Sequence, residues 1–141
     1  MTGFWQKSEN TLRFKPCEFP TLKPGYYKAQ QDYNGPYLKL ISTEFDVAHN
    51  IADPTTKNLV NTTNEFFDAK DKYEELGSVH KRGVLLHGPP GTGKSTIINQ
   101  LCATVLSRDG VILHCSQQGI RAIENLMKSI RESKPDQLIG V

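Results

Sequence analysis

The run Gly88-Pro89-Pro90-Gly91-Thr92-Gly93-Lys94-Ser95 constrains this chain more than any other stretch. It fits G-x-x-x-x-G-K-[ST] at every fixed position, a pattern that belongs between the end of a strand and the start of a helix. Gly91 and Gly93 lack a Cβ, so the backbone can turn sharply and come close to an anion. Backbone N–H groups then converge on a phosphate, aided by the positive end of a helix starting near Lys94. Lys94 brings a mobile point charge that spans β- and γ-phosphates. The Ser95 hydroxyl is a hard oxygen ligand for magnesium bridging the same phosphates. A chance match in a chain of this composition has a probability on the order of half a percent. The expected ligand is ATP with Mg2+, cradled from Gly88 through Pro89, Pro90, Gly91, Thr92, Gly93, Lys94 and Ser95 to Thr96.

The flanking sequence has the required period. Gly83-Val84-Leu85-Leu86-His87 predicts a short strand buried on both faces. From Ser95 onward Ile97, Ile98, Leu101, Val105 and Leu106 recur at helical spacing. Asp109-Gly110 turns the chain into a second expected strand, Val111–Cys115. A helix with Ile120, Ile123, Leu126, Met127 and Ile130 on one face follows, and a third strand is expected from Leu138. Strand–helix alternation predicts a parallel sheet with right-handed crossovers. The fold class is therefore α/β, a three-layer P-loop NTPase core with a partial parallel sheet and flanking helices, preceded by a small β-rich N-terminal region. The expected division is residues 1–52 for that region and 53–141 for a partial ATPase domain, incomplete at its C-terminus.

Within residues 1–50, segments 25–27 and 37–41 flank Asp32-Tyr33-Asn34-Gly35-Pro36, which predicts a hairpin turning at Asn-Gly. The aromatics Phe4, Trp5, Phe14, Phe19, Tyr26, Tyr27, Tyr33 and Tyr37 are read as packing a small core rather than a stacking platform, because basic residues are not interleaved with them. Residues 55–77 predict a helix, with a break near Thr62-Thr63-Asn64 and an end at Gly77. Asp53-Pro54 reads as a helix-start signal.

Composition narrows the function classes. A net charge of +2 with scattered basic residues does not indicate nucleic acid. Cys17, Cys102 and Cys115 are odd in number and widely spaced, which argues against a disulfide framework or a zinc site. No stretch approaches a membrane span, and the N-terminus lacks the apolar run of a signal peptide. The expected compartment is the cytoplasm. His87 and His114 are read as packed or partly exposed histidines, because no second ligand is placed by spacing, and Cys115 as a buried thiol, because adjacent strand residues point to opposite faces.

The run Tyr73-Glu74-Glu75-Leu76-Gly77, followed by Lys81-Arg82-Gly83 and the loop, resembles the start of the ATPase core in AAA proteins. The resemblance is sharp over residues 73–106. It implies an α/β ATPase domain, assembly into homo-oligomeric rings, usually hexamers, and ATP hydrolysis spent on remodelling macromolecules. Lys94 would carry the catalytic stabilisation of phosphate charge and Ser95 the Mg2+. Ser95 stands where the family most often has threonine. Ser116-Gln117-Gln118-Gly119-Ile120 lacks the aromatic of substrate-threading members. By the resemblance, the acidic pair that activates water lies past Val141, with the sensor residue, arginine finger and helical lid. The 141 residues alone are thus expected to bind ATP incompletely and to hydrolyse it negligibly. Two other functions share the loop: a nucleotide kinase-like phosphotransferase, and a non-catalytic ATP-sensing interaction module.

Overall fold

Alternating apolar and polar residues build the first layer. A computed structural model describes residues 4–8, 10–15, 22–45, 53–117 and 119–141. Its strands are β1 (Phe4–Ser8), β2 (Thr11–Lys15), β3 (Gly25–Asp32), β4 (Gly35–Ser42), β5 (Val111–Cys115) and β6 (Ile139–Gly140). Its helices are α1 (Pro54–Asp68), α2 (Lys70–Glu75), α3 (Lys94–Ser107) and α4 (Ile120–Ser133). The chain divides into two compact units, one of Met1–Phe45 with Val105–Val141 and one of Asp46–Thr104. These boundaries run differently from the 52/53 division expected from the sequence.

The first unit holds a six-stranded sheet in the order β1-β2-β4-β3-β5-β6. The fold is α/β, with a mixed sheet rather than a parallel one. β1, β2, β4 and β3 pair antiparallel, while β3, β5 and β6 run parallel. The crossover β5–α4–β6 is the expected strand–helix–strand unit. The difference lies in β5's other neighbour, which is β3 from the N-terminal region, in the register Gly25↔Val111 to Ala29↔Cys115.

The β3–β4 hairpin forms, with its turn one residue earlier than Asn34-Gly35. Asp32 pairs with Gly35, leaving Tyr33 and Asn34 as the loop. Gly35 carries the positive φ of 105°, and the Asn34 N–H donates to Asp32 Oδ1 at 2.8 Å. Ile41 is unpaired at a bulge between the Tyr26↔Ser42 and Tyr27↔Leu40 pairs.

Residues 25, 27 and 29 of β3 are buried and alternate with half-buried 26, 28 and 30. Tyr27 and Ala29 join Leu22, Leu38, Val111 and Leu113 in one core with Ala122, Leu126 and Ile130 of α4. Tyr27 is the expected aromatic core residue. Its hydroxyl donates to the Lys23 carbonyl at 2.8 Å, and burial pushes its pKa up to about 12, so it remains a donor. Tyr33 is fully exposed at the hairpin tip, and Ile120 is exposed at the start of α4. The side chains of Phe4, Trp5 and Phe14, and all of Cys17 and Phe19, lie outside the described residues. Gly119 permits α4 to start against β3, where an added Cβ would stand 2.5 Å from the Ala29 carbonyl oxygen.

In the second unit Asp53 caps α1 by accepting from the Thr56 N–H at 3.1 Å, with Pro54 in the first turn. The expected break near Thr62–Asn64 falls instead at Ala69. Thr62 and Thr63 both donate their hydroxyls to the Leu59 carbonyl, so they satisfy themselves within the helix. After α2 the Ser78 N–H reaches the Tyr73 carbonyl and the Gly77 N–H that of Glu74, a Schellman closure with Gly77 at φ 63°. A Cβ at Gly77 would meet nothing within 4 Å, so only its backbone angle is at stake. Gly77→Ala should destabilise by about 1 kcal/mol in urea unfolding, and Gly77→Asn by less. Equal stability of all three would mean that this closure does not hold the helix end.

The strand expected at Gly83–His87 does not form. Val84 is 43% and Leu85 93% exposed, and the segment pairs with no strand. Burial on both faces needs a strand on at least one side. β5 already has β3 and β6 beside it, and among the described residues no strand lies in the second unit.

Candidate functional site

The loop and the N-terminal part of α3 lie together in the second unit. Gly88, Gly91 and Gly93 take φ values of 153°, 79° and 82°. A Cβ at Gly91 would meet nothing within 4 Å, whereas one at Gly88 would stand 3.3 Å from Thr92 Oγ1. The reason for glycine is thus conformational at Gly91 and partly spatial at Gly88. The helix begins at Lys94, and the Ile97 N–H donates to the Gly93 carbonyl at 3.0 Å, the first bond of its ladder.

Lys94 folds over the loop. Its Nζ donates to the carbonyls of Gly88 at 2.8 Å and Pro89 at 2.5 Å, and lies 3.3 Å from Thr92 Oγ1. Thr92 in turn donates to the Pro89 carbonyl at 2.9 Å. The ammonium is therefore solvated by the loop's own oxygens, and among the described residues no carboxylate pairs with it. Neutral carbonyl partners leave its charge uncompensated. Pro89, Pro90, Gly91, Thr92 and Ser95 are exposed, while Gly88, Gly93, Lys94 and Thr96 are half-buried. Every residue singled out from the motif thus sits on one loop and the first turn of α3.

The lead-in to the loop is anchored by residues that spacing does not reveal. His80 stacks on Phe66 with centroids 4.1 Å apart, and its Nε2 is 2.6 Å from the Phe66 carbonyl. Tyr73 closes on the same imidazole edge-to-face at 5.0 Å. Arg82 donates to the Thr62 carbonyl at 2.6 Å and to Thr62 Oγ1 at 3.1 Å. A shallow depression of about 490 Å3 lies among Thr62, Glu65, Phe66, Tyr73, Lys81 and Arg82. These partners are 7 to 20 residues apart on two helices and a coil, and no periodicity encodes such a meeting.

Residues 84–139 match the family described as "ATPase family associated with various cellular activities (AAA)". The AAA-ATPase At3g28600 of Arabidopsis thaliana is 48% identical over 52 residues, which is 36% of this chain and 11% of that protein. Residues 84–139 are an AAA-family ATPase segment.

The AAA segment takes in the loop, α3, β5 and α4. Two further Arabidopsis thaliana relatives are similar to it. AAA-ATPase At5g40000 is 48% identical over 50 residues, covering 35% of this chain and 11% of that protein. "AAA-ATPase At3g28570, mitochondrial" is 61% identical over 33 residues, covering 23% and 7%. The alignments thus span about a tenth or less of the relatives' own length. No solved structure matches the chain. Among the described residues, no helix is long and apolar enough to cross a membrane.

The remaining sequence candidates lie elsewhere. His87 is exposed in the coil before the loop. His114 is exposed on β5, with its Nδ1 2.7 Å from the Tyr26 hydroxyl. Cys115 is half-buried rather than buried. Cys102, on α3, is also half-buried, and burial raises its thiol pKa, which keeps it protonated and unreactive at neutral pH. Among the described residues no three His, Cys, Asp or Glu side chains gather into a metal-binding group.

Proposed function

We propose that residues Gly88–Thr96 form a Walker A loop that binds Mg-ATP, within a AAA-type ATPase that spends hydrolysis on remodelling macromolecules. The observation that carries this reading is the position of Lys94 Nζ, drawn over the loop by the Gly88 and Pro89 carbonyls at the N-terminus of a 14-residue helix. The residues present fit the ligand. Glycines at positive φ turn the backbone so that its N–H groups can face an anion, and an exposed hydroxyl at Ser95 follows at once. Lys94 would exchange its carbonyl partners for β- and γ-phosphate oxygens, a charge-assisted contact stronger than the ones it leaves. Mg2+ keeps several waters and is held by few protein oxygens, so Ser95 would suffice as its ligand from this loop. When bound, the ion neutralises charge on the phosphates.

Ring assembly, hydrolysis and a macromolecular substrate belong to the proposal through family membership. A cytoplasmic site of action is proposed from the sequence alone, and two of the similar Arabidopsis thaliana proteins are named as mitochondrial. Lys94→Ala should weaken binding of a fluorescent ATP analogue at least about tenfold, roughly 1.4 kcal/mol, with the far-ultraviolet circular dichroism unchanged. An unchanged affinity in that variant would remove the phosphate-loop reading.

A further inference from the structure

The charge pattern of the sheet's second face is not visible along the chain. α4 covers one face of the sheet, over β3, β4 and β5. On the other face the end of α3 reaches the β5–β6 side, where Val105 and Ile112 both lie against Gly140. Over β3, β4 and β5 that face carries Lys39 and His114, which are exposed, and Tyr26, Lys28 and Tyr37, which are half-buried. Across it the register aligns Thr11, Lys39, Lys28 and His114 in one row, since Thr11 pairs with Lys39, Lys39 with Lys28, and Lys28 with His114. Strands are about 4.8 Å apart, so Lys39, Lys28 and His114 place basic groups over roughly 10 Å.

This row works against stability. Like charges directly opposite on an antiparallel pair repel. Lysines commonly guard the open edge of a sheet, but β3 and β4 are both interior strands. A merely solvated face would intersperse carboxylates. Here the acidic residue on the described part of β3 and β4 is Asp32, at the hairpin end, where its Oδ1 accepts from Asn34. Among the described residues neither Lys28 nor Lys39 has an ion-pair partner.

Aromatic rings flank the row on both sides, so the interleaving of basic and aromatic residues that the sequence reading denied is present on this face. Tyr26 stands two residues from Lys28 along β3, and Tyr37 two residues from Lys39 along β4 in the opposite sense, each about 7 Å from the row. Gln30 pairs with Tyr37 and adds an amide to the same side. Tyr26 is held edge-on by Phe45 at 5.1 Å and by His114 at 5.9 Å.

From this juxtaposition we infer that this face of β4, β3 and β5 binds single-stranded nucleic acid, with Lys39, Lys28 and His114 on phosphates and Tyr37 under a base. Charge alone would also suit an acidic peptide. Rings on either side of the cations favour the nucleic acid, because every base has a face to stack and acidic side chains have none. The row belongs to the first compact unit and the phosphate loop to the second.

The test is fluorescence anisotropy of the whole chain with a fluorescein-labelled 12-nucleotide oligouridylate, from 50 to 200 mM salt. The logarithm of affinity should fall with the logarithm of salt at a slope of about −1.4 to −2, as for two or three phosphate contacts. Lys28→Gln with Lys39→Gln should weaken binding tenfold or more and reduce that slope by about 1.4. Tyr37→Ala should weaken it about fivefold or more and leave the slope unchanged. The double variant should melt no lower than the wild type, since it removes repulsion, and should keep the wild-type affinity for an ATP analogue. Undetectable binding, or binding that the double variant leaves intact, would overturn the inference. Displacement of the oligonucleotide by Mg-ATP would overturn it too, by assigning the binding to the loop. Equal binding of a labelled 12-residue polyglutamate, lost in the same variant, would assign the face to acidic peptides instead.

Discussion

Leu126→Ala is expected to lower the unfolding free energy by about 2–5 kcal/mol. Leu126 is 1% exposed and belongs to the cluster that joins α4 to Tyr27, Ala29, Leu38, Val111 and Leu113. Removing three side-chain carbons forfeits their transfer energy and leaves a cavity. Its partners in the cluster sit on β3, β4 and β5, each hydrogen-bonded to a strand on both sides, so relaxation would be limited. Ile120, on the same helix ahead of the buried Ala122, Leu126 and Ile130 and 58% exposed, is the internal control. Ile120→Ala should stay within about 0.5 kcal/mol. Urea unfolding followed by circular dichroism, with unchanged slope, reads both values. A loss below 1 kcal/mol for Leu126→Ala would mean that α4 is not the helix closing this face of the sheet.

Gly110→Ala should cost about 1–3 kcal/mol, toward the upper end of that range. Its Cβ would stand 2.5 Å from Val105 Cγ1, 2.7 Å from the Val105 carbonyl oxygen and 3.2 Å from that of Leu138. Two of these are backbone atoms in hydrogen bonds: the Gly110 N–H donates to Val105 and the Val111 N–H to Leu138. Neither can swing aside as a side chain would. Asp109, at φ 55°, completes the turn that carries α3 into β5, and its carbonyl accepts from the Gln137 amide. The contrast is Gly83, where a Cβ would meet nothing within 4 Å and φ is not in the left-handed range. Gly83→Ala should be neutral or stabilising by about 0.4–1 kcal/mol, through the unfolded chain. A thermal melt of the two variants side by side distinguishes crowding at Gly110 from a general cost of replacing glycine.

Much of the local structure was legible. The Asp53 cap, the Gly77 closure, the hairpin near Gly35 and the alternation β5–α4–β6 each depend on residues within a few positions of one another. The misplacements were also local in cause. Thr62 and Thr63 lower helix propensity, yet their hydroxyls bond back to Leu59 within the helix, and the break moves to Ala69. Gly35 takes the positive φ alone, so the turn shifts by one residue.

The sequence by itself determined the loop from Gly88 to Thr96, because the demand for positive φ at Gly91 and Gly93 and for a lysine at a helix start is written in adjacent residues. It also determined which face of α4 is apolar, since that follows from a period of 3.6. Tertiary structure alone decided that β3, from the N-terminal region, is the neighbour of β5, and that Gly83–His87 stays unpaired despite its apolar run. It also decided that Lys28, Lys39 and His114, scattered along the chain, share one row. Strand pairing and register join residues up to 86 positions apart here, and no local period records which strand will take an open edge.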